Sequence, residues 1–476
     1  MKFIDLFAGL GGFHVALKRL GHKCVYACEI EPTLNRIYKD IHGIQPDFDI
    51  KEVDLSKIPH YEILCAGFPC QPFSKAGSQS GFDHKVAGDM FEILFKFLKT
   101  HKPKYFILEN VPNLIKHDHG YTWLYMKSKL ESISYKINFD VISPTNFNIP
   151  QTRERVYILG ALDDIPIKWP IYPMKSNITI KDILIDKPKF IKRLNKSKKE
   201  VLDIWQDFLN CAPDKNSIIS PLWSMEFGAT YPFEETTPFA LGTKKLKKYK
   251  GSFGIDLSTI KEEKIFENIP PYSHYSNRKN ESDAKKIRFP AWKINFIKRI
   301  RNYYEENKPW IDDWLKRTLK KEVFQIPSFQ KFEWNCNGDI LNLNDKLISF
   351  RSSGVRVKRL DNAPTLVNLS LTSLPYLSTS KRYLTIEECL VLQGFHEIKY
   401  KILSDEKYLK KINRVSIDFV LRALGNAVNV DVVEQIAKTF LSKKNNILHR
   451  KVDAYTQIGL NFNKNIGTNF VNQKLG

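Results

Sequence analysis

No apolar run in this 476-residue chain approaches the ~20 residues of a membrane helix, so no spanning segment is expected. The opening MKFIDLFAGLGG has no basic leader, no long apolar stretch and no cleavage site. A secretory signal is therefore not expected, and a cytosolic location is. Cysteine is sparse: Cys24, Cys28, Cys65, Cys70, Cys211, Cys336 and Cys389 form no CxxC pair and match no zinc spacing. That argues against a metal centre and for free thiols, most of them small buried hydrophobes. Internal repeats and long low-complexity tracts are absent. Acidic residues are in deficit, 52 against 74 Lys and Arg, for a net charge of +22. What is present is apolar material: 42% hydrophobic and 12% aromatic residues exclude a largely disordered chain. The length suggests about two or three domains.

The excess of positive charge fits an anionic partner, nucleic acid first, and a plain Lys-rich surface equally well. Its distribution is uneven. Residues 1–160 carry 20 basic and 17 acidic side chains, residues 161–350 carry 34 and 25, and residues 351–476 carry 20 and 10. The first third is nearly neutral at +3, and the rest supplies +19.

Before about residue 165, short β-prone runs alternate with helical segments. Lys2–Phe7, Val25–Cys28, Tyr61–Ala66, Tyr105–Leu108 and Val156–Leu159 read as strands. Phe13, Ala16, Leu17 and Leu20 share helical spacing with Gly21 as a stop, and Phe91, Leu94, Phe95 and Leu98 form a second stripe. The alternation predicts an α/β fold with a parallel, doubly wound sheet. From 166 to 384 the chain reads as irregular, and helical periodicity returns through Leu421 to Phe440.

In such sheets ligands sit beyond the carboxyl ends of the strands. The first strand runs into Asp5-Leu-Phe-Ala-Gly-Leu-Gly-Gly12, a loop that permits a tight turn and close backbone approach. It is not the dinucleotide fingerprint, because position 14 is His. Glu29 ends the second strand, where an acid can bind both hydroxyls of a ribose, and Asp54 follows a third apolar stretch, where it can meet an adenine amino group. Each acid alone reads equally as a solvated loop residue or helix cap. Together, in order, they suggest an adenosine-containing cofactor without a pyrophosphate.

The next strand ends in Gly67-Phe-Pro-Cys70-Gln-Pro-Phe-Ser74. This GFPCQPFS resembles the nucleophile motif of the DNA (cytosine-5)-methyltransferase family. The companions follow in order: DLFAGLGG, Glu109-Asn110-Val111, Gln151-Thr-Arg153-Glu-Arg155, Arg356 through Pro364-Thr365-Leu366, Glu388-Cys-Leu-Val-Leu-Gln-Gly-Phe395 and Gly425-Asn426-Ala427-Val428. The resemblance covers residues 1–160 and about 351–445 and implies a Rossmann-like S-adenosylmethionine-dependent methyltransferase domain with a smaller inserted target-recognition domain. It implies 1–165 as the first part of the catalytic domain, 166–384 as the recognition domain, 385–414 as a hinge, 415–446 as the returning catalytic part, and 447–476 as a tail.

The chemistry accounts for these residue types. Carbon 5 of cytosine attacks a methyl donor only after a thiolate has added to carbon 6, and cysteine supplies a thiolate near neutral pH. That role falls to Cys70. Addition puts negative charge near nitrogen 3, which a protonated Glu109 can offset if a dry pocket raises its pKa. Arg153 and Arg155, two apart in an extended segment, should share a face. Arg155 is expected at the 2-oxo group, and Arg153 as a brace for Glu109 or the nucleophile loop, with a surface ion pair as its alternative. The resemblance further implies S-adenosyl-L-methionine, with Phe7 packing on the adenine, Gly9 and Gly11 admitting the methionine end, and Glu29 and Asp54 holding ribose and adenine. Ile30, Leu55, Met90, Asn426 and Ala427 complete the pocket. Three positions depart from the family pattern. Ile30 stands where some relatives place Trp, Ala427 replaces a Ser, and Val391 replaces an Arg, which removes an expected ion pair at the domain junction.

A base inside a duplex is out of reach of Cys70, so it must be flipped out against a second wall of protein. Lys244, Lys245, Lys247, Lys248 and Lys250 could line the DNA backbone or form a solvated face. The implied partner is double-stranded DNA, with no membrane, no metal, a monomeric state, a bacterial cytoplasmic location at the nucleoid, and pairing with a restriction endonuclease. An RNA cytosine methyltransferase of the same fold and an inactive DNA-binding relative remain alternatives. RNA-acting relatives tend to carry PPCQPF, and intact Cys70, Glu109 and Arg155 argue against loss of activity.

Overall fold

The structure, a computed structural model, describes residues 1–69, 85–162, 165–188, 191–271, 288–366, 374–397 and 417–442. Cys70 with the rest of its motif, most of the expected hinge and the tail lie outside them.

The first sheet is built from β1 (Lys2–Leu6), β2 (Lys23–Cys28), β3 (Ile63–Gly67), β4 (Tyr105–Asn110), β5 (Tyr135–Ile142) and β6 (Arg155–Leu162), in the order β2-β1-β3-β4-β6-β5. Alternate residues serve opposite faces. Phe3, Ile63, Cys65, Ile107 and Leu159 enter one apolar cluster, while Ile4, Leu64, Ala66, Leu108 and Ile158 enter another. A sheet buried on both faces needs helices on both. Helices α1 (Gly12–Arg19), α8 (Ile417–Asn426) and α9 (Val430–Phe440) feed the first cluster, and α3 (Lys85–His101) and α4 (Tyr121–Glu131) the second. Helix α2 (Pro32–His42) follows β2, with Glu31 capping it by accepting from the Leu34 amide.

One correction concerns strand direction. The sheet is mixed, because β6 runs antiparallel to both β4 and β5. No helix crosses from β5 to β6; a 3-10 turn at Pro144–Phe147 and a loop reverse the chain instead. The reversal brings Arg155, the first residue of β6, to the end of the sheet where β1, β3 and β4 finish.

A second correction concerns residues 166–384, which read as irregular. They hold a second six-stranded sheet of short strands: β7 (Leu222–Trp223), β8 (Lys331–Asn335), β9 (Leu347–Arg351), β10 (Gly354–Lys358), β11 (Tyr376–Leu377) and β12 (Arg382–Tyr383), in the order β12-β11-β9-β10-β8-β7. Helices α5 (Lys196–Cys211) and α6 (Ala291–Thr318) pack beside it. Trp205 of α5 stacks on Phe332 of β8 at 4.5 Å and lies 5.6 Å from Trp314 of α6, ring centre to centre. Buried Glu226 pairs with Arg301 at 2.9 Å.

The chain returns to the first sheet through α7 (Ile386–Leu392), α8 and α9. Thr385 caps α7 in a capping box with Glu388. Arg382 holds Glu388 at 2.7 Å in a buried pair. Arg19, at the end of α1, clasps Glu397, Asp431 and Glu434 at 2.7, 2.8 and 3.0 Å. Among the described residues, no helix is long and apolar enough to cross a membrane, and no group of three His, Cys, Asp or Glu could hold a metal.

Candidate active site

Four segments meet at the carboxyl ends of β1, β3 and β4. The first is the loop after β1. Phe7 (φ +57°), Gly9 (φ +55°) and Gly11 (φ +80°) all take left-handed backbone, a conformation that costs a non-glycine residue about 1–2 kcal/mol. Gly11 has a second constraint, since a Cβ there would lie 2.3 Å from His42 Nε2. Beneath the loop, His14 Nδ1 lies 2.8 Å from the Tyr38 hydroxyl, which donates to Asp5 at 3.3 Å. Burial lowers the His14 pKa to about 3, and burial raises that of Asp5 well above its ordinary value, against the hydrogen bond from Tyr38.

Glu29 follows β2 and ties the loop down. Its two carboxylate oxygens accept from the Gly9 amide at 2.7 Å and the Glu31 amide at 2.9 Å. Burial raises its pKa, and the two amides work against the rise. Ile30 beside it is 65% exposed, an open apolar surface next to the strand ends. Phe7 and Leu55 pack, half-buried, on the apolar cluster that contains buried Met90 and Phe68. Asp54 is exposed, accepts from the Ser56 amide and hydroxyl at 3.0 and 2.7 Å, and borders a groove shared with Pro32, Asp47 and Phe48.

The other segments surround Glu109. In register, Gly67 of β3 lies beside Glu109 of β4, and Glu109 beside Tyr157 of β6. Arg155 Nε sits 3.1 Å from Glu109 Oε1, and both side chains are mostly buried. Burial raises the Glu109 pKa, while Arg155 and Arg153 pull it back. Asn110, to which sequence reasoning assigned no task, donates to the Phe68 carbonyl at 3.3 Å and accepts from the Val111 amide at 2.8 Å. It thereby anchors the backbone two residues before Cys70.

At 2% exposure Arg153 is no surface residue, which removes the surface-ion-pair alternative, and its guanidinium donates to the carbonyls of Leu366, Gly425 and Ala427 at 3.2, 3.0 and 2.8 Å. It clamps the returning segment to the site, and the direct ion pair to Glu109 belongs to Arg155. Asn426, the last residue of α8, is exposed, and Ala427 is half-buried. Val428 then covers the start of α1, its Cγ2 only 2.5 Å from where a Gly12 Cβ would stand. The helix terminus that would cradle a pyrophosphate in a dinucleotide fold is thus occupied by protein. The residues fit an adenosyl group with a short, phosphate-free tail: an acid at the strand end, an apolar wall and an open glycine backbone.

The sequence matches the family described as C-5 cytosine-specific DNA methylase over residues 1–442. The chain belongs to that family. Among individual relatives, the type II methyltransferase M.MspI of Moraxella sp is 42% identical over 37% of this chain and 42% of its own length. The type II methyltransferase M.HhaI of Haemophilus parahaemolyticus is 38% identical over 39% and 57%. These matches span about half the length of the relatives. The type II methyltransferase M.BanI of Aneurinibacillus aneurinilyticus is 28% identical over 94% of this chain and 97% of its own.

Proposed function

We propose that the chain is a DNA (cytosine-5)-methyltransferase that modifies a flipped-out cytosine in a specific duplex sequence, with Cys70 as nucleophile and S-adenosyl-L-methionine as donor. One observation carries the reading: the buried Glu109–Arg155 pair at the strand end adjoining Gly67-Phe68-Pro69, the lead-in to Cys70. A mostly buried polar pair suits a substrate that gains charge during reaction.

The residues divide the work as follows. The Cys70 thiolate adds to carbon 6, forming a C–S bond and moving an electron pair toward nitrogen 3. Glu109, whose protonated form burial favours, donates a hydrogen bond there, and Arg155 orients it and faces the 2-oxo oxygen. Bound S-adenosyl-L-methionine supplies an electrophilic methyl group on a sulfonium. Methyl transfer would leave the donor as the thioether S-adenosyl-L-homocysteine; solvent water then takes the carbon 5 proton, the C–H electron pair forms the C5–C6 double bond, and the C6–S bond breaks with its electrons returning to the Cys70 sulfur. Glu29, Phe7, Gly9, Gly11, Asp54, Leu55, Met90 and Asn426 hold the donor, with Ile30 and Ala427 at its edge. Arg153 positions the returning segment.

Residues 166–384 serve as the recognition domain, inserted between 1–165 and the returning 415–446, with 385–414 as the hinge. The protein works as a monomer in the bacterial cytoplasm, at the nucleoid, within a restriction–modification system. The test is transfer of tritiated methyl to DNA. Cys70→Ala should abolish it while donor binding persists, and transfer that survives the substitution overturns the mechanism. Labelling of RNA in preference to DNA would move the activity to the RNA class.

A further inference from the structure

The second sheet carries a cationic face whose charges are not balanced. On β10, Val355 and Val357 point into the core, so Arg356 and Lys358 share the opposite face. The register places Arg351 of β9 beside Gly354, Ser349 beside Arg356, and Glu333 of β8 on the other flank of Arg356. Arg356 pairs with Glu333. Among the described residues, neither the Arg351 guanidinium nor the Lys358 ammonium has an ion-pair or hydrogen-bond partner. Both are half-buried, and burial and the neighbouring cations depress the pKa of each, with Glu333 and Asp361 opposing the shift. Crowding half-buried like charges costs stability unless a ligand neutralises them.

The face lies on the strand that leads to the site. Five residues after Lys358, Ala363 pairs with Gln151, accepts from the Thr152 amide at 2.8 Å and donates to the Pro150 carbonyl at 2.8 Å. Five residues span at most about 18 Å, about five steps of a DNA strand. An anion on this face is therefore at most about 18 Å from the Gln151–Thr152 backbone, the segment that leads into Arg153 and Arg155.

We infer that Arg351, Arg356 and Lys358 form a clamp for the backbone phosphates of the duplex beside the flipped cytosine. The inference rests on the methyltransferase reading above. It differs from a role for the exposed lysines at 244–250, because the clamp is pre-formed by a sheet and each of its cations is partly desolvated before the ligand arrives. Phosphate contacts position a duplex without reading its sequence, so the clamp sets register for whatever loops read the bases.

The test is a salt titration of duplex binding with the full chain and a fluorescent mixed-sequence duplex. The double variant Arg351→Gln with Lys358→Gln should make the slope of log affinity against log salt shallower by about two. Its donor affinity should be unchanged, and its melting temperature equal to or above that of the parent, since repulsion has been relieved. Arg351→Lys with Lys358→Arg should restore the slope. An unchanged slope overturns the clamp, and so does a lowered melting temperature with duplex binding intact, which would make the cations structural. Failure of the unsubstituted protein to bind duplex at all would instead overturn the methyltransferase reading.

Discussion

Arg155 Nε lies 3.1 Å from Glu109 Oε1 with both side chains mostly buried, so the arginine and the burial act on one carboxyl in opposite directions. Burial prevails and holds the Glu109 pKa above its ordinary value. The proton that Glu109 must offer to the base is then lost only as pH rises through the elevated value. Methyl transfer should fall on the alkaline side with that limb. Glu109→Gln, which donates without titrating, should abolish the limb and lower the rate by about 10²–10⁴-fold. A pH–rate profile of both forms checks this, and an identical alkaline limb in the variant contradicts it.

The same shift has a stability consequence. A carboxyl whose folded pKa is raised binds its proton more tightly in the folded than in the unfolded chain. Its contribution is full below the ordinary carboxylate range and is lost as pH climbs from there through the folded value. Glu109→Gln should therefore flatten the decline in stability over that window, measured as denaturation midpoints across pH.

Arg153 and Arg155 stand two residues apart and should fail differently. Arg153→Ala leaves the carbonyls of Leu366, Gly425 and Ala427 without their donor and should cost about 3–5 kcal/mol of stability. Arg153→Lys should not rescue it, because one ammonium cannot reach three acceptors in a fork. Arg155→Ala should cost less stability and more rate. Unfolding curves and single-turnover rates for the three variants separate the two roles.

The glycines of the first loop should also separate. A Cβ on Gly11 meets His42 and Tyr38, whereas one on Gly9 meets nothing within 4 Å. Gly11→Ala should cost about 3–5 kcal/mol, and Gly9→Ala about 1 kcal/mol from backbone strain alone. Gly9→Ala should still weaken donor binding, because the open space at Gly9 is where the methionine end is proposed to lie. Calorimetric binding alongside thermal melts decides between them.

The sequence made the strand ends readable and left the rest obscure, for reasons that specific residues explain. Lys2–Leu6, Ile63–Gly67 and Tyr105–Asn110 are short apolar runs buried on both faces, and each ends in a motif, so local pattern sufficed. Tyr135–Ile142 went unseen because only its two ends are buried, with half-buried and exposed residues between. The antiparallel course of Arg155–Leu162 depends on a loop, which periodicity does not report. Strands of two to five residues in the second sheet are held by contacts far apart in sequence, such as Trp205 on Phe332. The roles of Asp5 and His14 depend on Tyr38, which the chain brings up only through α2.

The most direct measurement is covalent trapping on a duplex containing 5-fluorocytosine at the methylated position, in the presence of S-adenosyl-L-methionine. Fluorine cannot leave carbon 5 as a cation, so release is blocked once Cys70 has added and the methyl has moved. The expected result is a denaturant-stable protein–DNA adduct, absent from Cys70→Ala, with the modified peptide carrying Cys70. A protein that methylates ordinary duplex yet forms no such adduct would contradict nucleophilic attack by Cys70.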